Sequence, residues 1–159
     1  MNRFMISTRH RPPRIDRLHQ GVQPFYFVTF NTCARARILA NPEVHAAFRQ
    51  FCSRAQEHGA AVGRYVIMPD HVHVFAMMPR AGLRLEAWIK SLKCVLGKTL
   101  DGQGAAKPHW QEGFFDHLLR SGESYGEKWD YVRQNPVRAG LVLHADDWPF
   151  QGEIESIRF

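Results

Sequence analysis

Two apolar, β-rich runs, residues 62–68 and 71–78, stand on either side of Pro69 and Asp70. A connection this short joins strands as an antiparallel hairpin, so the middle of the chain is committed to a sheet. The second run opens with His71-Val72-His73. Side chains on a strand alternate between faces, so the two imidazoles share one face, about 7 Å apart along the strand. Phe75 and Met77 continue that face, which is otherwise apolar and expected to be covered. Two imidazoles on one face can hold a single metal ion and leave coordination positions open, as catalytic sites do. A bare His-x-His is also what two ordinary histidines at a strand end look like, so the rest of the chain has to decide.

Around the hairpin the patterning alternates between strand and helix. Phe25–Asn31 is aromatic and β-branched and reads as a first strand. Asn41-Pro42-Glu43 is a helix start, with a capping side chain, a proline in the first turn and an early acid. Val44, Ala47, Phe48, Phe51, Cys52 and Ala55 follow at helical spacing up to Gly59, and they read as core. A second helix carries Leu85, Trp88, Ile89, Leu92, Val95 and Leu96 on one stripe, with Lys90, Lys93 and Lys98 off it. Residues 101–108 read as a Gly-containing loop and residues 110–119 as a fourth strand. A third helix begins at Ser121 or Glu123 and is expected to run to about Asn135, where Pro136 stops it. The order β-α-β-β-α-β, then a helix, predicts an α+β fold of the ferredoxin-like split βαβ type. It comprises a four-stranded antiparallel sheet with two helices on one face, followed by a C-terminal helix and tail. The expected division is a basic arm over residues 1–24, a catalytic domain over 25–136, and a tail over 137–159 that packs back on it.

Composition narrows the class. A chain of 159 residues with 45% hydrophobic residues is the size of one globular domain. No apolar run approaches the ~18–20 residues needed to cross a bilayer, and the charged N-terminus has no apolar signal core. Cys33, Cys52 and Cys94 are far apart, with neither zinc-finger spacing nor an even disulfide framework. A cytoplasmic protein with free thiols is expected, without a membrane partner. The net charge of +6 favours a polyanionic partner, which charge alone does not narrow to nucleic acid. The arm concentrates Arg3, Arg9, Arg11, Arg14 and Arg17, and reads either as a disordered tail or as a nucleic-acid-binding arm.

The third helix adds a chemical group. Tyr125, Trp129 and Val132 form its apolar stripe, and Tyr131 lies off it. A tyrosine on a polar face is a surface residue or a displayed nucleophile. Asn135 follows four residues later on roughly the same face, so its amide oxygen is a candidate third ligand. A metal together with a tyrosine suggests phosphoryl transfer. The ion would act as a Lewis acid on a phosphate oxygen, while the phenolate attacks phosphorus. A free tyrosine has a pKa near 10 and needs a base that the sequence does not reveal. There is no Walker-type loop, so nucleotide hydrolysis has no support.

Met68-Pro69-Asp70-His71-Val72-His73 resembles the HUH motif (His, bulky hydrophobic, His) of single-tyrosine transposases, and the chain as a whole is most similar to the REP-associated tyrosine transposases. The resemblance is carried also by Phe27-Val28-Thr29, by Trp110-Gln111 with Phe115-Asp116-His117 and Leu119-Arg120, by Tyr131-Val132-Arg133-Gln134-Asn135-Pro136-Val137, and by Asp147-Trp148-Pro149-Phe150. It spans residues 14–150. It implies an enzyme that binds hairpin-containing single-stranded DNA, cuts one strand, and joins it through a 5′-phosphotyrosine, so that the strand can be rejoined without ATP. It implies His71, His73 and Asn135 as ligands of Mg²⁺ or Mn²⁺, of which Mn²⁺ better suits imidazole, with Tyr131 as the nucleophile. Monomers and homodimers both occur among such proteins. For DNA contact the expected residues are Arg11, Arg14, Lys90, Lys93, His117, Arg120 and Arg133.

Three other readings compete. A histidine-triad hydrolase shares the start His71-Val72-His73-Val74, but its third histidine would fall where Phe75 stands. A non-catalytic nucleic-acid binder with an RNA-recognition-like fold has the same β-α-β-β-α-β order. It explains the charge and leaves His71, His73 and Tyr131 without a shared role. A domesticated transposase that retains DNA binding only is the third.

Overall fold

A computed structural model describes residues 23–158. Arg11, Arg14 and nearly all of the basic arm lie outside the described residues. Five strands form one antiparallel sheet in the order β4-β1-β3-β2-β5. They are β1 (Phe25–Asn31), β2 (Ala61–Ile67), β3 (His71–Met77), β4 (Phe115–Leu119) and β5 (Gln151–Glu153). The first four keep the ferredoxin-like order 4-1-3-2. The expected four-stranded sheet gains β5, which pairs with β2 through Arg64, Tyr65 and Val66. The expected fourth strand is shorter than residues 110–119. Trp110 makes only an isolated bridge to Thr32, and the ladder begins at Phe115.

Helices α1 (Pro42–Ser53) and α2 (Leu85–Gly102) cover one face. Asn41 caps α1 by accepting the Val44 amide at 3.0 Å, as the sequence predicts, a bond worth about 1 kcal/mol. α2 runs through Gly102 and so takes in the start of the expected loop. Val28, Phe30, Val72, Val74 and Ala76 point from the sheet into the α1/α2 core. Tyr65 joins them through a break in register between Val62 and Tyr65. A bulge of this kind inserts a residue and turns the next side chain over.

The opposite face is covered by α3 (Gly122–Val132) and the C-terminal segment. Phe25, Phe27, Val66 and Phe75 meet Tyr125, Val132 and Trp148 there. Gly63 in the bulge permits this contact, because a Cβ at that position would stand 2.7 Å from the Tyr125 hydroxyl. That hydroxyl accepts the Arg64 amide at 3.2 Å. The Trp148 indole donates to the Ile67 carbonyl at 3.0 Å and fastens the C-terminal segment across β2.

α3 differs from the expected helix at its end. Ser121 caps it by accepting the Ser124 amide, but it stops at Val132. Pro136 does not terminate it. Asn135 and Pro136 open a separate short helix, α4 (Asn135–Arg138), in which proline occupies the first turn. A proline there is unstrained because its missing N–H would have had no helical partner.

Candidate active site

His71 and His73 stand at the start of the central strand, on the α3 face. Register places Asn31 opposite His71, and Thr29 and Val66 opposite His73. The Thr29 hydroxyl meets His73 Nδ1 at 2.7 Å across the ladder. Asp70 Oδ1 lies 2.7 Å from His71 Nδ1. A carboxylate only accepts, so His71 carries its proton on Nδ1 and leaves Nε2 bare. The two Nε2 atoms face each other at 3.1 Å.

Asp70 is itself held. Arg35 donates from Nε to Asp70 Oδ2 at 2.9 Å and from Nη1 to Asn31 Oδ1 at 2.8 Å. Ala34 and Arg35 adopt φ of 51° and 57°, left-handed conformations that cost about 1–2 kcal/mol per non-glycine residue. The bonds from Arg35 hold the turn in that conformation. Burial works against the Asp70 carboxylate, but the bonds from His71 and Arg35 outweigh it and its pKa falls below the usual range.

Burial lowers the pKa of His71, with Asp70 opposing. His73 is pushed down to about 3, first by burial and then by the charges of His71, Arg35, Arg138 and Lys128. Both rings are therefore neutral near pH 7, the form in which imidazole ligates metals. Two ligands at right angles on an ion with bonds of about 2.1 Å stand about 3 Å apart, so the pair fits one cation. Among the described residues, no group of three histidine, cysteine or acidic side chains converges on such a point. The further donor at the pair is the Asn135 amide, whose Nδ2 lies 2.9 Å from His73 Nε2.

Arg138 ties this corner to the tyrosine. It donates to Asn135 Oδ1 and, at 2.7 Å, to the Tyr131 carbonyl. Its guanidinium stands 4.2 Å from the centre of the Tyr131 ring. Tyr131 is 64% exposed, whereas Tyr65 and Tyr125 are buried and Tyr26 packs against the α1/α2 core. Tyr131 and Asn135 thus come from two helices rather than one helical face, with Arg138 bridging them.

The expected DNA contacts fall in different places. Lys90 and Lys93 ride on α2, on the opposite side of the sheet from the histidines. The Lys93 ammonium is engaged by the Gln111 and Gly113 carbonyls at 3.1 and 2.6 Å. Arg133 pairs with Asp146. Arg120 is exposed between β4 and α3, and His117 is exposed on β4, opposite Phe27. Sequence reasoning missed Arg35, Asp70, Lys128 and Arg138. Asp70 adjoins His71, and Lys128 and Arg138 stand three residues from Tyr131 and Asn135, a helical spacing that would have flagged them. Arg35 has no such signal, because it reaches the site only through the left-handed turn.

No protein-family model matches the chain. The REP-associated tyrosine transposase of Escherichia coli K12 is 24% identical over 125 residues, covering 79% of this chain and 73% of the relative. A proposed member of the same family from Haemophilus influenzae is 27% identical over 118 residues, covering 68% of this chain and 65% of the relative. A solved REP-associated tyrosine transposase bound to a REP hairpin superposes with a TM-score of 0.66 at 23% identity, over 85% of this chain and 79% of that one. A proposed transposase from Deinococcus radiodurans R1 superposes with a TM-score of 0.50 at 18% identity, over 74% of this chain and 95% of that one. The sheet and its covering helices therefore have the transposase fold. Within it the chain is similar to REP-associated tyrosine transposases, the family its motifs resemble.

Proposed function

We propose that this chain is a transposase that nicks and rejoins hairpin-containing single-stranded DNA through a 5′-phosphotyrosine on Tyr131. One observation carries the reading: the Nε2 atoms of two neutral imidazoles converge at 3.1 Å, and the arginine that holds Asn135 beside them also lies over an exposed tyrosine. The names of the relatives agree with it, and one of the solved relatives is bound to a REP hairpin.

His71 and His73 would hold Mg²⁺ or Mn²⁺, and the Asn135 oxygen would join them by exchanging its bond from Arg138 for the ion. When bound, the ion supplies Lewis acidity toward a non-bridging phosphate oxygen. Asp70 and Thr29 orient the two rings. Arg35, Lys128 and Arg138, the cations that act on His73, favour the approach of a phosphodiester. The Tyr131 oxygen attacks phosphorus and loses its proton to solvent, the bond from phosphorus to the 3′-oxygen breaks, and that oxygen leaves as a hydroxyl. Attack by a 3′-hydroxyl on the phosphotyrosine reverses the step. The phosphodiester bond energy is kept throughout, so no nucleotide cofactor is needed.

The test is incubation with hairpin-bearing single-stranded DNA and Mn²⁺, followed by a denaturing gel. Wild type forms a covalent adduct. Tyr131→Phe keeps the ring and the DNA binding and forms none. An adduct on Tyr131→Phe would overturn the assignment, and DNA binding without an adduct on wild type would identify a protein that only binds.

A further inference from the structure

The proposed reaction leaves one feature of the histidine face unused. Among the described residues, the exposed large hydrophobic side chains are Tyr131, Leu143 and Phe115, which is 58% exposed. Phe115 opens the edge strand β4. It sits directly opposite Thr29, which sits directly opposite His73. Residues paired in this way point to the same face, so Phe115, Thr29 and His73 form one row across the sheet. Two strand spacings put Phe115 about 10 Å from His73, the reach from a scissile phosphate to the base of a flanking nucleotide. The next row along the same face is His117, Phe27 and Phe75. Leu119, at the far end of β4, is buried under the apolar cluster, and Phe27 and Phe75 are covered as well. Apolar coverage therefore stops short of the histidine end and leaves the Phe115 ring open.

The charges at the His73 end of that row point to an occupant. The Lys128 ammonium stands 5.3 Å from the centre of the Phe27 ring, and Phe27 stacks on His73 with ring centres 5.4 Å apart. Arg35, Arg138 and Lys128, from three different segments, all act on His73 as positive neighbours. An open aromatic ring in the same row as a histidine with three cationic neighbours suits a ligand that is both flat and anionic, and single-stranded nucleic acid is that ligand. A second copy of this basic chain would bring like charges together.

We propose that Phe115 is a stacking platform for one unpaired base of the DNA strand beside the scissile phosphate, with Lys128 contacting the phosphate of the same nucleotide. The proposal rests on the nicking function above and names a subsite for it. Stacking on a ring is tolerant of base identity, so the platform sets the position of the strand rather than its sequence.

Binding is measured by fluorescence anisotropy with a labelled, hairpin-bearing single-stranded oligonucleotide and Mn²⁺, in a Tyr131→Phe background so that the strand stays intact. Phe115→Leu keeps an apolar side chain on the strand and removes the ring, and affinity falls about tenfold, as expected for loss of one stacked base. Phe115→Trp restores it, and its emission is quenched as the oligonucleotide is added. Replacing nucleotides one at a time by abasic sites finds one position that costs wild type as much as Phe115→Leu does, and costs Phe115→Leu nothing further. Fully duplex DNA of the same length does not distinguish the variants. Unchanged affinity for Phe115→Leu, or abasic and Phe115 effects that simply add, overturns the platform. A Phe115→Leu change in elution volume with unmoved DNA affinity also overturns it and assigns the ring to contact between copies. Binding and cutting are read separately. An absent adduct from a protein whose binding depends on Phe115 overturns the nicking function and leaves the platform, whereas an adduct with Phe115-independent binding does the reverse.

Discussion

On the α1/α2 face of the sheet, Val28, Phe30, Val72 and Val74 are fully buried against two long helices. On the other face the same two strands carry Thr29, His71 and His73, and coverage gives out before it reaches the strand ends. Side chains one residue apart in β3 thus serve opposite purposes: Val72 and Val74 fill space, and His71 and His73 converge on a point. The period of two in a strand makes this division possible, because one face can be spent on packing while the other carries polar groups that packing alone would exclude. The polar face is held by named bonds rather than by volume: Thr29 to His73, Asp70 to His71, and Arg35 to Asp70.

The comparison predicts that substitutions on the two faces separate cleanly. The largest effect is expected for His71→Ala/His73→Ala, which should abolish Mn²⁺ binding in isothermal titration while the protein still unfolds cooperatively. Binding by that variant equal to wild type would break the division. Leu92→Ala, in the α1/α2 core, should do the opposite, costing about 2–5 kcal/mol in urea unfolding with the Mn²⁺ stoichiometry intact. Asp70→Ala removes the group that fixes the His71 tautomer, and Mn²⁺ affinity should fall about 10- to 100-fold. Smaller still is the contrast between two lysines. Lys128→Ala should reduce the slope of log affinity against log salt for single-stranded DNA by about one, as for loss of one phosphate contact. Lys93→Ala should leave the slope alone and destabilise the fold by about 1 kcal/mol, because its ammonium already bonds two carbonyls. A salt slope altered by Lys93→Ala would place DNA on both faces. The smallest expected effect is on the packed face. Burial, and then Arg49, lower the pKa of His45, which bonds the Tyr65 hydroxyl. The unfolded chain therefore takes up that proton first, and stability falls as pH drops below the ordinary histidine value of about 6.5. His45→Gln should make this dependence slightly shallower in a pH series of unfolding midpoints, most of it remaining because His71 and His73 are shifted in the same direction.

What could be read from the residues follows the same division. β1, β3 and α1 announce themselves because alternation, helical spacing and the Asn41-Pro42 cap are local signals. The histidine pair is legible for the same reason, since two residues apart on a strand means one face. Tyr131 stands out by being off the Tyr125, Trp129, Val132 stripe. β5 is three residues long and exists only because β2 offers it an edge, so no periodicity marks it. Pro136 misleads because a proline that ends one helix and a proline that begins the next look identical in a sequence. Arg35 is illegible, since its place at the site depends on a backbone turn that neither it nor Ala34 favours.

The break between α3 and α4 separates two kinds of mechanical duty. β3 is bonded on both sides, to β1 and to β2, so its amides should be among the last in the molecule to exchange with deuterated solvent, opening only with global unfolding. The ladder of α3 ends with the bond from the Arg133 amide to the Trp129 carbonyl, and that of α4 begins with the bond from the Arg138 amide to the Gln134 carbonyl, so the amides between them, just after the tyrosine, should exchange far sooner. On the proposed reading, the histidines that would hold the metal are then anchored in the slowest-breathing part of the protein. The tyrosine that would carry the severed strand sits beside a joint, able to shift with its cargo while the centre of the sheet stays still.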